Sequence, residues 1–241
     1  MPLSKIKSIA KLDTSHPAGE GGNGAPDTPS VLLTGFDSFG GDDCNPSWLA
    51  VQQLGGASIA GHRVIAAQLP TSFAESTPQL LRLMRLYRPD LVICTGLAAN
   101  RQAISLERIA INISDARIAD NCGAQPVDMP VVSGGPAAFF STLPIKAMLV
   151  ALRDNGVAAE VSQSAGTFVC NHVFYTLMHE LASRPAYLAA GARGGFIHVP
   201  CIPGHAEPSM PLAEIVRGLE LALACALTTR TDLAIGAGST A

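Results

Sequence analysis

The sequence carries little charge for its length, with 16 Lys and Arg residues against 19 Asp and Glu residues and a formal net charge of -3. The basic residues are scattered and form no stripe or cluster. Nucleic acids and anionic membrane surfaces are bound by concentrated positive charge. We therefore expect neither a nucleic acid nor a membrane as a partner, and a small ligand of low charge is the default expectation.

Long uncharged apolar runs are also missing. The first residues lack the ~7–15 consecutive apolar residues of a secretory signal. The most apolar segment, residues 212–227, is interrupted by Glu214, Arg217 and Glu220, well short of the ~18 uncharged residues that a membrane span needs. The sequence predicts a protein that is not exported, has no transmembrane helix and is located in the cytoplasm.

Paired cysteines are absent as well. The six cysteines lie far apart and none belongs to a C-x-x-C pair. A chain of 241 residues can bury a large core and does not need disulfides as staples. We expect free thiols in a reducing compartment.

The chain divides into three parts by composition. Residues 1–29 are rich in Gly, Pro, Ser and Asp and have no apolar period, which is typical of a flexible extension. Residues 30–229 are expected to form a single catalytic α/β domain, and residues 230–241 a C-terminal tail. In the domain, apolar runs without interruption alternate with segments of helical period.

Strands are predicted at residues 31–36, 64–69, 91–95, 158–162 and 196–199, with an extended segment at 104–111. Helices are predicted from 45–47 onward and at residues 78–87, 144–153, 169–181 and 211–227. Continuous apolar strands separated by helices indicate a largely parallel twisted sheet with helices on both faces, a three-layer α/β/α fold. Such sheets bind ligands beyond the carboxyl ends of their strands.

The segment most suggestive of chemistry is SAGTFVCNH at residues 164–172. A strand-like run ends there at Gly166, and apolar residues at every fourth position predict an amphipathic helix with Cys170 in its first turn. The N–H groups of a helix start stabilise a neighbouring anion, so we expect a lowered pKa and a nucleophilic thiolate. The alternative is that Cys170 is a small buried apolar side chain.

A catalytic cysteine needs a base and often an orienting acid. His172 is near in sequence, but residues two apart on a helix do not face each other. His198 is the better candidate, because it is the one imidazole in a short apolar strand and lies near the strand's end. Glu107, in the extended segment 104–111, shares the side of the isoleucines that follow it. A carboxylate there needs a partner, either an arginine or the imidazole of a nucleophile-base-acid triad.

A zinc site is a competing interpretation. His198, Cys201 and His205 have a spacing found in zinc ligands, and Cys170 or His172 could complete four ligands. Pro200 and Pro203 interrupt this segment, and no C-x-x-C pair accompanies it. The metal-dependent hydrolase is therefore kept as an alternative to the cysteine nucleophile.

Four long motifs follow one another over about residues 31–227. They are GFDSFGG at 35–41 followed by NPS at 45–47, the segment from Gly96 that ends in ERIAIN at 107–112, SAGTFVCNH at 164–172, and GGFIHVP at 194–200. In content and order they resemble the pyroglutamyl peptidase type I family, cysteine peptidases that remove N-terminal pyroglutamate from peptides. This chain departs from the family at Leu97, where glutamine is common.

The resemblance implies that Cys170 is the nucleophile, that His198 is its base and acid, and that Glu107 orients His198. It further implies that Arg117 lies near the developing oxyanion. The pyroglutamyl ring would be held by Phe36 and Phe39, in a pocket that the backbone around Phe168 and Val169 also lines. Peptides with N-terminal pyroglutamate are the implied substrates, no cofactor is implied, and a homo-oligomer, commonly a tetramer, is expected. A pyroglutamate-binding protein without turnover is the remaining alternative, motivated by Leu97.

Overall fold

The computed structural model describes residues 29–238. Its strands are β1 Ser30–Phe36, β2 Ser58–Ile59, β3 His62–Leu69, β4 Leu91–Leu97, β5 Ile104–Glu107, β6 Ile109–Ile111, β7 Ala138–Phe140, β8 Ala159–Ser162 and β9 Arg193–Val199. Its helices are α1 Pro46–Leu54, α2 Ser76–Tyr87, α3 Ile145–Asp154, α4 Val169–Ser183 and α5 Leu212–Thr228.

Seven strands form the main sheet, in the order β2-β3-β1-β4-β9-β5-β8. β1 pairs in parallel with β3 and β4, β4 with β9, and β5 with β8, whereas β2 and β3, and β5 and β9, are antiparallel. The predicted, largely parallel α/β sheet is confirmed. The antiparallel pairing of β5 with β9 was not predicted, and it brings two chain segments of opposite direction together beside the candidate site.

Helices cover both faces of this sheet. β1 is buried along its whole length, as expected of a strand that packs helices on each side. One apolar core lies between the sheet and α1, α3 and α5, and a second between the sheet and α2 and α4. The three-layer arrangement is therefore also confirmed.

The extended segment predicted at residues 104–111 is not one strand. It divides at Arg108, whose N–H donates to the Ser162 carbonyl and whose carbonyl accepts from Ser141. β5 stays in the main sheet, while β6 pairs with β7 in a separate two-stranded sheet. The alternation that was to place Glu107 on the side of the following isoleucines therefore stops at Arg108.

Residues 1–29 and 230–241 flank the predicted domain. The predicted extension at residues 1–29 lies outside the described residues except for Pro29. In the predicted tail, the Asp232 carboxylate accepts the N–H groups of Lys146 and Ala147 at 2.9–3.2 Å and so caps the start of α3. Between residues 29 and 238, no helix has the length and apolar character to cross a membrane.

Candidate active site

Cys170 is the second residue of α4, as the helical period predicted. Phe168 occupies the N-cap position and supplies no side-chain acceptor, so the first N–H groups of α4 are available to a ligand. The neighbouring Asn171 holds this turn in place: its side-chain amide accepts the N–H of Ile111 and donates to the carbonyls of Ile111 and Ile113. The helix start is thus fastened to the chain that follows β6.

His198, Glu107 and Arg101 form a hydrogen-bonded cluster in which the first two side chains are buried. His198 is 4% exposed and Glu107 is fully buried. The imidazole Nδ1 lies 2.7 Å from Glu107 Oε1, and Arg101 Nη1 lies 2.6 Å from the same oxygen. Both partners foreseen for Glu107, an arginine and an imidazole, are therefore present together. Arg101 itself was not predicted.

The strand register places these groups on one face of the sheet. Ser105 is the partner of His198 across the β5–β9 pair, and Gly96 is its partner across the β4–β9 pair. Because side chains alternate along a strand, Glu107 shares the side of Ser105 and His198. A β-carbon at Gly96 would lie 2.8 Å from Cys170 Sγ, so the thiol lies over this same face.

The surroundings of the Cys170 thiol favour its protonated form, although the residue as a whole is half-buried. Burial raises the pKa of Cys170 to about 12, and the negative charge of Glu107 adds to the rise, while Arg101 opposes it. The expected lowering of this pKa by the helix start is therefore wrong: removal of the thiol from water outweighs the helix end. A base is needed to take the proton when the thiol reacts.

His172 does not fill that role. Its Nδ1 lies 3.0 Å from the Ser114 hydroxyl, and its ring packs edge-on against Phe73. Burial lowers the pKa of His172 to about 4. This imidazole is a neutral structural group that ties α4 to the segment after β6.

A cavity of about 160 Å³ opens beside Cys170. It is lined by Phe36, Phe39, Asp42, Cys44, Asn45, Thr71, Leu97, Phe168, Val169 and Cys170. The rings of Phe39 and Phe168 lie 5.2 Å apart in its wall. A larger hollow of about 710 Å³ lies at the end of α4, but no cysteine or histidine lines it.

Four of the five predicted substrate-binding residues line the small cavity, and one does not. Phe36, Phe39, Phe168 and Val169 all line the small cavity. Arg117 is exposed and is not among its lining residues. Its assignment to the oxyanion remains a prediction.

The zinc ligands suggested by spacing are not brought together. His205 Nε2 lies 3.2 Å from Cys44 Sγ, whereas His198 is bonded to Glu107. Across residues 29–238, no group of three or more His, Cys, Asp or Glu side chains is arranged to hold a metal ion. The metal-dependent alternative is not supported.

Comparison with known proteins gives a consistent result. The family model described as pyroglutamyl peptidase matches residues 29–229. The chain is 54% identical to a pyrrolidone-carboxylate peptidase of Klebsiella pneumoniae over 215 residues, which is 87% of this chain and 98% of that one. It is 52% identical to pyrrolidone-carboxylate peptidase 1 of Ralstonia nicotianae over 210 residues, 85% of this chain and 96% of the relative.

Solved structures show the same likeness. The crystal structure of Bacillus amyloliquefaciens pyroglutamyl peptidase I superposes with a TM-score of 0.81 at 44% identity, covering 85% of this chain and all (100%) of that chain. The pyrrolidone carboxyl peptidase of Thermococcus litoralis gives 0.78 at 38% identity, covering 83% and 94%. The similarity therefore extends over nearly the full length of these proteins.

Proposed function

Since the chain belongs to the pyroglutamyl peptidase family, we propose that it is a cysteine peptidase that hydrolyses the bond after an N-terminal pyroglutamyl residue. In this proposal Cys170 is the nucleophile, His198 is the base and acid, and Glu107 is the acid that orients His198. The observation that carries this assignment is the 2.7 Å contact between His198 Nδ1 and Glu107 Oε1, on the face of the sheet where Cys170 Sγ lies. The binding protein without turnover has no support from these relatives, which are named as peptidases.

The hydrogen bond to Glu107 sets the tautomer of His198. An ionised carboxylate only accepts, so Nδ1 carries a proton and Nε2 is the acceptor in the neutral ring. Because the pKa of Cys170 is about 12, the thiol enters the reaction protonated. Nε2 takes this proton as Sγ attacks the carbonyl carbon that follows the lactam ring.

The remaining steps return the enzyme to its starting state. As the tetrahedral intermediate collapses, the carbon–nitrogen bond breaks and the His198 imidazolium protonates the leaving amine. A thioester between Cys170 and the pyroglutamyl group remains. His198 then removes a proton from a water that attacks this thioester, which releases pyroglutamate and the thiol.

Backbone N–H groups at the start of α4 are suited to the oxyanion. The Cys170 N–H belongs to the uncapped first turn of the helix, where N–H groups have no intrahelical acceptor. We assign the oxyanion to this turn and, from the family resemblance, to Arg117. Loss of one oxyanion donor typically costs ~10²–10³ in rate.

The cavity suits a small neutral ring. Pyroglutamate is a flat lactam without a free amine, so recognition must rely on apolar faces and hydrogen bonds. Phe36, Phe39 and Phe168 supply aromatic surface within the 160 Å³ cavity. Leu97 adds an apolar side chain.

The decisive experiment is substitution of the nucleophile. Cys44 also lines the cavity, so inactivation by a thiol reagent does not by itself identify Cys170. Cys170→Ser is therefore assayed for release of a dye from a pyroglutamyl conjugate, with a prolyl conjugate as the specificity control. We expect hydrolysis of the pyroglutamyl conjugate by the wild type in the presence of chelator, and none by the variant. Turnover by Cys170→Ser would exclude the mechanism.

We further propose a homotetramer located in the cytoplasm. All six cysteines are free thiols, which suits a reducing compartment. Large apolar side chains are exposed at Val127 (67%), Met129 (56%) and Phe140 (69%), and such groups favour contact with another subunit. A monomeric mass by light scattering would exclude the assembly.

A further inference from the structure

Arg101 lies beside the His198–Glu107 pair, in the loop between β4 and β5. Its Nη1 donates to Glu107 Oε1, the oxygen that also accepts from His198 Nδ1. Its Nη2 donates to the Ser164 carbonyl at 2.9 Å, in the turn that precedes α4. One guanidinium thus connects the acid that orients the base with the segment that leads to the nucleophile.

We propose that Arg101 is a positioning residue of the reaction, which keeps Glu107 ionised and His198 neutral until the thiol proton is transferred. This inference rests on the proposed function, because it concerns the same proton transfer. Arg101 acts through Glu107: among the described residues it has no hydrogen bond to Cys170 and does not line the substrate cavity.

The charge balance of the cluster supports this role. The Glu107 side chain is fully buried, whereas that of Arg101 is 25% exposed, so the carboxylate depends on the arginine while the arginine still reaches solvent. A buried carboxylate without a cation is costly. If Arg101 is removed, the carboxylate favours a proton on the His198 ring, and the imidazolium cannot accept the thiol proton.

The other groups that face Glu107 and His198 do not replace this cation. Cys170, from α4, interacts electrostatically with Glu107, and burial raises the pKa of its thiol to about 12, so it is neutral near pH 7. Glu160, from β8, accepts from the hydroxyl of Ser105, the strand partner of His198, and as an acid it cannot supply a positive charge. Arg108 follows Glu107 directly, but its Nη2 is directed to the Ala237 carbonyl at 3.5 Å. Glu107 Oε2 is buried and has no hydrogen-bond partner within the described part of the chain.

The loss of Arg101 acts on the nucleophile in the same direction. Arg101 lowers the pKa of Cys170 and Glu107 raises it, so removal of the guanidinium makes the thiol harder to deprotonate. Together with the proton that the unpaired carboxylate favours on His198, this change displaces activity toward alkaline conditions.

The test uses three variants of the full chain and the pH dependence of kcat/KM for a pyroglutamyl conjugate. Arg101→Gln removes the charge and the two-pronged contact, and Arg101→Lys restores the charge without the planar fork. Arg153→Gln is the matched control, because Arg153 donates to the Ala159 carbonyl at 3.0 Å and its loss removes the same charge away from the cluster. Rates are normalised to folded protein.

We expect Arg101→Gln to lower kcat/KM at pH 7 by about 10- to 100-fold, the usual range for a hydrogen bond to a charged group, and to move the acid limb of the profile to higher pH. Arg101→Lys returns the limb toward the wild-type position with an intermediate rate, and Arg153→Gln leaves the limb unmoved. A wild-type acid limb in Arg101→Gln would overturn the inference. If that variant does not fold, Arg101→Met, a neutral side chain of similar length, takes its place, and a wild-type acid limb there overturns the inference.

These outcomes are separate from a failure of the proposed function. An inactive Cys170→Ser together with an unperturbed Arg101→Gln would retain the triad and reject the role of Arg101. An active Cys170→Ser would reject the triad whatever the arginine variants do.

Discussion

Gly96 controls the space available to the sulfur of Cys170, the proposed nucleophile. A β-carbon at this position would lie 2.8 Å from Cys170 Sγ and 3.0 Å from Phe196 Cζ, whereas heavy atoms in ordinary contact are ~3.5–4.0 Å apart. In Gly96→Ala, the sulfur must therefore move by about 0.7 Å or more. The Phe196 ring has little room to give way, because its centroid lies 6.5, 5.8 and 4.8 Å from those of Phe36, Phe174 and His198.

In the proposed mechanism the displaced sulfur is the reacting atom, so the cost of the displacement should appear in catalysis. A misplacement of about 1 Å can cost ~10²-fold in rate, and overpacking a core costs about 1–3 kcal/mol of stability. We expect Gly96→Ala to fold, to unfold at a somewhat lower temperature, and to lose about 10²-fold in kcat for a pyroglutamyl conjugate. Steady-state kinetics and thermal unfolding measure the two effects.

Gly194→Ala is the matched control for this prediction. A β-carbon there would meet the Val92 carbonyl oxygen at 2.8 Å and Leu181 Cδ1 at 3.0 Å, on the neighbouring strand β9. The two variants share a similar overpacking, but only Gly96→Ala acts on Cys170 Sγ. The reasoning is refuted if the kcat of folded Gly96→Ala equals that of the wild type, or if both variants lose the same fraction of it.

Two further predictions concern stability. Asp232→Ala removes the acceptor for the N–H groups of Lys146 and Ala147, so it should lower the free energy of unfolding by about 1 kcal/mol with unchanged kinetics; a wild-type unfolding curve would contradict this. Burial lowers the pKa of His172 from 6.5 to about 4, so the unfolded chain binds a proton more readily than the folded chain, and the free energy of unfolding falls as pH drops from 6.5 to 4, by about 3 to 4 kcal/mol at most. In denaturant unfolding, His172→Asn should reduce the difference in the free energy of unfolding between pH 7 and pH 5. The same difference in the variant and the wild type would exclude this role of His172.

The architecture could be predicted from the sequence because the same local pattern, an apolar strand followed by a helix, recurs along the chain. A strand covered on both faces needs apolar residues without interruption, and β1 and β4 supply them. The break after Glu107 was not readable, because it depends on hydrogen bonds from Arg108 to Ser162 and from Ser141 to Arg108. Such contacts join segments that are distant in the chain, and no local period records them.

The candidate site divides in the same way. His198 and Glu107 were visible as polar residues in apolar runs, where each demands a partner. Arg101 stands among polar loop residues and has no such contrast with its neighbours. The sequence could show that Glu107 needed a partner, either an arginine or an imidazole, but only the three-dimensional arrangement shows that both are present and that the arginine is Arg101.

The pKa of Cys170 was predicted with the wrong direction from the sequence. Its position in the first turn of a helix is a local property, and it favours a thiolate. Its burial is a property of the whole fold, and this raises the pKa of the thiol to about 12. A helix end typically contributes 0.3–1 kcal/mol, whereas a change of one pKa unit corresponds to about 1.4 kcal/mol, so burial outweighs the helix. In the proposed mechanism the thiol must therefore lose its proton as it attacks, and the orientation of His198 by Glu107 and the charge of Arg101 become part of the chemical step.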